Sequence, residues 1–229
     1  MIHDKREFGI GLLLMAIFLG GIALVFSPLF ENGKNALDYL DGVFNSVSKA
    51  SAYFIPASVE KAKQLEGRSV SVRLEAKDAL QASRLEKLFG SAGAAVAVEG
   101  KRLTVSGDLG RILRAALADA DAMFGNDGAS LSGRYGFEER RVLLAWHVAL
   151  TEAMKDLNRQ ERFREAATVR DTLTRSIEPA YNYYGVTAIP MRNMIGIAFV
   201  ALVGYVVYTV WYGYAILFLF EGWGLKLEH

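Results

Sequence analysis

Two kinds of hydrophobic pattern alternate along this chain. Gly9 to Phe30 and Met194 to Phe220 run without one Asp, Glu, Lys or Arg, whereas between them apolar positions recur every two, three or four residues. An unbroken uncharged run predicts a helix that is apolar on every side. The first run is about 33 Å long at ~1.5 Å per residue, which matches one crossing of a roughly 30 Å hydrocarbon layer. It exceeds the ~7–15 apolar residues of a signal peptide and closes on Ser27-Pro28-Leu29-Phe30 rather than an Ala-x-Ala site, so it reads as a retained anchor. The second run would be about 40 Å if wholly helical, so tilt or an emergent end is expected. Its aromatic residues come late, and Trp211 to Tyr214 or Trp223 suit the headgroup level.

Residues 31–66 read as an amphipathic connector. Leu37, Leu40, Phe44 and Val47 form one helical face, and the polar side lacks the basic stripe of a lipid-adsorbing helix, which leaves domain or partner packing as good a use for it. Residues 67–125 read as a small α+β module. Val70, Val72 and Leu74 alternate with polar residues as a half-buried strand does. Asp78 to Phe89 predicts a helix, and Ala94 to Val98 with Leu103 to Val105 predict a hairpin about Glu99-Gly100-Lys101. Asp108 suits the cap of a helix with Leu109, Ile112, Leu113, Ala116, Ala120 and Phe124 inward. The order strand–helix–strand–strand–helix leaves strand order open, with the first strand free to lie parallel to a hairpin strand. Gly125 to Gly128 reads as a turn and Ser130 to Tyr135 as loop.

Residues 136–178 predict an antiparallel helical hairpin. Leu143, Trp146, Leu150, Ala153 and Leu157 are answered by Phe163, Ala166, Val169, Leu173 and Ile177, with a turn near Asn158 to Glu161; one continuous helix is the rival. Pro179 is expected to end it. The aromatic connector 179–193, with Tyr181, Tyr183 and Tyr184, suits either the headgroup level or docking on the domain. The stretch Gln160-Glu161-Arg162-Phe163-Arg164-Glu165-Ala166-Ala167 through Arg170-Asp171 resembles UVR-type helical hairpins, which implies protein interaction rather than catalysis. A packed hairpin accounts for the same letters without homology, and no family is assigned. The fold class is thus a two-pass α-helical membrane protein with an intervening α+β module and a helical hairpin, between tails at 1–8 and 221–229. The ending Leu227-Glu228-His229 reads as the start of a histidine tag.

Composition narrows the chemistry. Lys and Arg number 26 against 25 Asp and Glu, a net charge of +1 that gives no bulk attraction for nucleic acid. With no cysteine and three histidines, neither a disulfide framework nor a His/Cys zinc site is available. Gly107-Asp108-Leu109-Gly110-Arg111 lacks both nucleotide fingerprints, and Asp119, Asp121 and Asp127 lack calcium-loop spacing, so solvation and turns account for them. His147, beside Trp146, reads as a structural histidine. No catalytic, cofactor-binding or metal-ligating residue is assigned, no cofactor is implied, and enzymatic activity is not expected.

The second apolar run carries a polar-capable stripe of Tyr205, Tyr208, Thr209 and Tyr212, suited to helix–helix contact or to a pore lining. Ala16 and Gly20 in the first run, and Gly196 and Gly204 in the second, allow close helix packing. Basic residues Lys5, Arg6 and Lys226 outside the runs, against Lys34 and Arg192 inside, favour cytoplasmic termini and an external middle domain in a prokaryotic inner membrane. The leading expectation is a membrane-anchored scaffold or accessory subunit, partnered by the bilayer and by itself or other membrane proteins. A homo-oligomeric channel lined by the second run, and a membrane enzyme with an unrecognised polar cleft, are the alternatives.

Overall fold

A computed structural model describes residues 2–225; Lys226 and the tag-like ending lie outside them. The helices are α1 (Lys5–Val25), α2 (Ala36–Ser51), α3 (Ile55–Lys63), α4 (Ala79–Ser91), α5 (Leu109–Phe124), α6 (Gly128–Tyr135), α7 (Glu139–Arg159), α8 (Phe163–Thr172), α9 (Glu178–Asn182) and α10 (Ile195–Trp223). The strands are β1 (Ser69–Glu75), β2 (Ala95–Glu99) and β3 (Arg102–Asp108). The protein is predominantly helical, with one small open antiparallel sheet and a long apolar helix near each terminus. It divides into two compact units, Met1–Ser48 with Ala188–His229, and Lys49–Thr187.

The first unit is built on α1 and α10, which lie antiparallel. Asp4 starts α1 by accepting hydrogen bonds from the backbone N–H groups of Arg6 and Glu7, two of the donors a helix leaves open at its first turn. The pair closes through glycine at the end where the start of α1 meets the close of α10. A Cβ on Gly11 would stand 2.6 Å from the Leu219 nitrogen, and one on Gly222 would collide with the Phe8 backbone. The backbone N–H groups of His3 and Asp4 both donate to the Gly222 carbonyl, at 2.9 and 3.0 Å.

The second unit has one continuous apolar core. The sheet order is β1-β3-β2, with both pairings antiparallel, Val72 opposite Val105 and Val98 opposite Leu103. The first strand is therefore antiparallel to its neighbour β3; it runs in the direction of β2 but does not touch it. Inserting β3 between them lets the β1–α4–β2 crossover keep its two strands codirectional while every hydrogen-bonded pair stays antiparallel. The inner face carries Val70, Val72, Leu74, Leu103 and Val105, all buried, and the outer face is polar. Asp108 caps α5, its carboxylate accepting from the N–H groups of Arg111 and Gly67. All six inward positions expected for that helix are buried.

α7 and α8 are separate helices joined through Gln160 to Arg162, where Glu161 takes φ +59°. Pro179 does not end the helical run. A π-helical turn, Leu173–Ile177, closes on a hydrogen bond from the Glu178 N–H to the Leu173 carbonyl, and α9 restarts there with Pro179 in its first turn. A first-turn proline costs no intrahelical donor. Ser130 to Tyr135, expected as loop, belongs to α6, which ends on left-handed Gly136.

Candidate functional site

In the helix pair the tyrosine stripe divides. Tyr208 donates to the Phe18 carbonyl at 3.1 Å, and its ring stacks on Phe18 at 4.3 Å; Tyr212 stacks on the same ring at 4.8 Å. Trp211 donates to the Leu14 carbonyl at 3.1 Å. Three α10 residues thus grip one side of α1, while Tyr205 points outward and Thr209 bonds back to the Tyr205 carbonyl. Within the pair, a Cβ on Gly20, Gly196 or Gly204 would meet nothing within 4 Å, and Ala16 is exposed. Gly11 and Gly222, which sequence reasoning passed over, make the close approaches instead. The rest of the pair presents apolar side chains outward, including Leu12, Leu13, Leu24, Phe199, Val200 and Leu202, each more than half exposed. Leu14, Val206, Val210, Trp211 and Phe218 line an apolar groove of about 450 Å³ on that surface.

In the second unit, Leu143, Trp146, Leu150, Ala166 and Leu173 are buried in the core. Phe163 is not. As the first residue of α8 it follows the turn directly and stands 63% exposed, an apolar side chain outside the hairpin seam.

The turn between α7 and α8 covers the free edge of β1. The Arg73 N–H donates to Asp156 Oδ2 at 3.0 Å, Gln160 Nε2 donates to the Ser71 carbonyl at 2.9 Å, and Arg162 Nη1 donates to the Ser69 carbonyl at 3.0 Å. Side chains here take the place of a fourth strand and satisfy backbone groups that an edge leaves open. Asp156 is 1% exposed, so this edge is closed from the core outward.

Two polar knots fix the rest. Asp119, expected on the surface, is fully buried; it accepts from Tyr135 Oη at 2.6 Å, Trp146 Nε1 at 2.7 Å and Arg134 Nη1 at 2.7 Å. Burial outweighs these three donors and holds its carboxyl above the usual aspartate range. Burial and the neighbouring carboxylate push the Tyr135 phenol up to about 12. Lys49, 2% exposed, donates to Asn126 Oδ1, the Tyr183 carbonyl and the Val186 carbonyl at 3.0, 3.1 and 2.7 Å. Its ammonium lies 5.0 Å from the Phe124 ring centroid, and burial lowers its pKa. Asn126, in the left-handed region at φ +64°, also accepts from the Gly185 N–H and donates to the Val186 carbonyl. One buried cation thus ties together the two ends of the second unit. The aromatic connector docks on this unit: Tyr184 Oη donates to Glu139 at 3.0 Å, and the Arg140 guanidinium lies over the Tyr181 and Tyr184 rings.

Two clefts open on the second unit. One, of about 440 Å³, lies between α3 and α8, with Lys61 paired to Asp171, and Arg68, Arg164 and Gln64 in its wall. The other, of about 220 Å³, is apolar, lined by Leu143, Leu144, Ile177 and Tyr181, with His147 Nε2 3.3 Å from Glu178 at its rim. Among the described residues no three His, Asp or Glu side chains converge on one point. Comparison with family models, curated proteins and solved structures returned no match. What the arrangement offers is packed helices with shaped, partly apolar surfaces, suited to protein contacts.

Proposed function

We propose that the chain is a two-pass membrane protein whose second unit works in water as an interaction module, making it a scaffold or accessory subunit of a membrane assembly. The outward apolar side chains of α1 and α10 carry this reading. A fully buried Leu, Val or Phe side chain is worth about 1.5–3 kcal/mol. A dozen such groups left half exposed to water would forfeit on the order of 10 kcal/mol, the whole stability of an ordinary domain. Hydrocarbon removes that cost, and every backbone polar group inside the two helices is already satisfied, as lipid demands.

The antiparallel pairing supports a re-entrant path, because the N-terminal end of α1 meets the C-terminal end of α10. Lys5 and Arg6 stand at that end, which favours cytoplasmic termini and an external middle domain. The phenol and indole donors of Tyr208 and Trp211 reach α1 backbone carbonyls, the kind of polar contact that holds helices together where no hydrophobic drive exists between them. The second unit contributes what an assembly subunit needs: a knotted core, one sheet edge closed and the other open, and apolar surface at Phe163 and around the His147 hollow.

Isolation in gentle detergent followed by intact-complex mass measurement tests the assembly role. A defined multi-subunit species is expected. A lone monomer with no co-purifying protein, under conditions that keep it folded, would overturn it.

A further inference from the structure

The two edges of the sheet are treated differently. The β1 edge is closed by Asp156, Gln160 and Arg162, which take up the outward backbone groups of Arg73, Ser71 and Ser69. Alternation along an antiparallel ladder then fixes every other strand. Odd residues of β1 face outward, so Leu103, Val105 and Gly107 of β3 bond to β1, while Arg102, Thr104 and Ser106 turn to β2. Their partners Glu99, Ala97 and Ala95 bond to β3, and Val96 and Val98 are left projecting N–H and C=O away from the sheet. No proline or lysine guards this strand, and Val98 stands 40% exposed.

We propose that the β2 edge pairs with the β2 edge of a second copy of this chain, antiparallel about a twofold axis at Ala97. The sequence of the strand, Ala95-Val96-Ala97-Val98-Glu99, is self-complementary in that register. Val96 meets Val98 of the second copy in hydrogen-bonded pairs, on the inner face where Val105 and Leu103 already lie. Ala97 meets itself across the axis, and each Glu99 meets an alanine rather than the other glutamate. Moving the twofold axis two residues toward the C-terminal end, a slip of four residues between the strands, would set Glu99 against Glu99, a like-charge pair that destabilises a ladder. The isologous contact joins two three-stranded sheets into one of six and removes the last bare edge. It supplies a partner for the interaction module without resting on the bilayer reading, since the edge geometry holds whatever surrounds α1 and α10.

The chain has no cysteine, so single substitutions report position cleanly. Non-hydrogen-bonded partners on antiparallel strands have Cα atoms about 4.5 Å apart, within disulfide reach, whereas Ala95 and its own copy would lie roughly 14 Å apart, well beyond the ~7 Å limit. Full-length Ala97→Cys, oxidised in native membranes or mild detergent, is expected to give a reducible dimer in at least about tenfold higher yield than Ala95→Cys or Glu99→Cys alone, given those separations. Mixing Ala95→Cys chains with Glu99→Cys chains should restore the cross-link between them. Val96→Pro provides the second arm: its N–H points off the sheet, so proline there removes no bond to β3 and abolishes the Ala97→Cys dimer while the fold persists. Three results would each overturn the proposal: equal yields at 95, 97 and 99, a dimer that survives Val96→Pro, or an Ala97→Cys chain that captures a different protein instead of its own copy.

Discussion

Asp119 offers the sharpest test of how the second unit is held together. Its Oδ2 accepts from Tyr135 and Trp146, and its Oδ1 from Arg134. Leucine at 119 would fill similar space but leave the donors unmatched. The Arg134 side chain is half exposed and can turn to water, and Tyr135 retains Ser91 at 3.2 Å, but the fully buried Trp146 indole N–H has no substitute. An orphaned buried donor costs about 1–3 kcal/mol, and the loss of a charge-assisted bond adds to it, so Asp119→Leu should cost roughly 3–5 kcal/mol. Asparagine is different: its carbonyl can still serve Tyr135 and Trp146 while Arg134 swings outward, for a loss of about 1 kcal/mol. Denaturation of the full chain in detergent, with Trp211 and Trp223 replaced by Phe so that Trp146 alone fluoresces, measures both. The cycle with Trp146→Phe, followed by circular dichroism because those variants hold no tryptophan, should show that Asp119→Leu costs less once the indole is gone. Equal costs for Asn and Leu, or no coupling to Trp146, would refute the reasoning.

Other outcomes follow from the same geometry. Lys49→Met should loosen the tie between the two ends of the second unit, costing about 2 kcal/mol for bonds to a charged group and making residues 183–187 several-fold more sensitive to protease in a timed digest. Gly11→Leu and Gly222→Leu should each separate α1 from α10, seen as loss of engineered cross-links between the helices, while Gly20→Leu, with open space around it, should leave them in place. The Arg162 guanidinium holds the Glu165 carboxyl below its ordinary 4.5. The stability this contributes is present above pH 4.5 and is lost as pH falls through the lowered folded value, so Glu165→Gln should flatten the acid limb of a melting-temperature profile. Asp119 has the opposite sign, its raised carboxyl favouring the folded state as pH falls from neutral, and Asp119→Asn should remove that component from the same profile.

Much of this architecture was legible in local pattern. The alternation of Val70, Val72 and Leu74, the spacing along Leu109 to Phe124 and the capping carboxylate of Asp108 each rest on neighbours a few residues away, where period and propensity decide. What was hidden depends on distant partners. Lys49 looks like one more solvated charge until residues 126, 183 and 186 close over it, and Asp119 looks like a surface acid until Trp146 and Tyr135 arrive from other helices. Placing β3 between β1 and β2 is a tertiary choice that alternation alone leaves open. Phe163 satisfies the helical spacing, but its position immediately after the turn swings it outward. Within the apolar runs every glycine reads alike, and only the meeting of the two helices singles out Gly11 and Gly222. Both lie at the one end of the pair where the start of α1 meets the close of α10, a meeting that periodicity along either run does not encode.

The central claim is that hydrocarbon surrounds α1 and α10 while water surrounds the second unit. Alkaline washing of native membranes, followed by partition between detergent and aqueous phases, tests it directly. The intact chain is expected to stay with the washed membrane and enter the detergent phase. Release into the aqueous phase as a folded, detergent-free protein would contradict it.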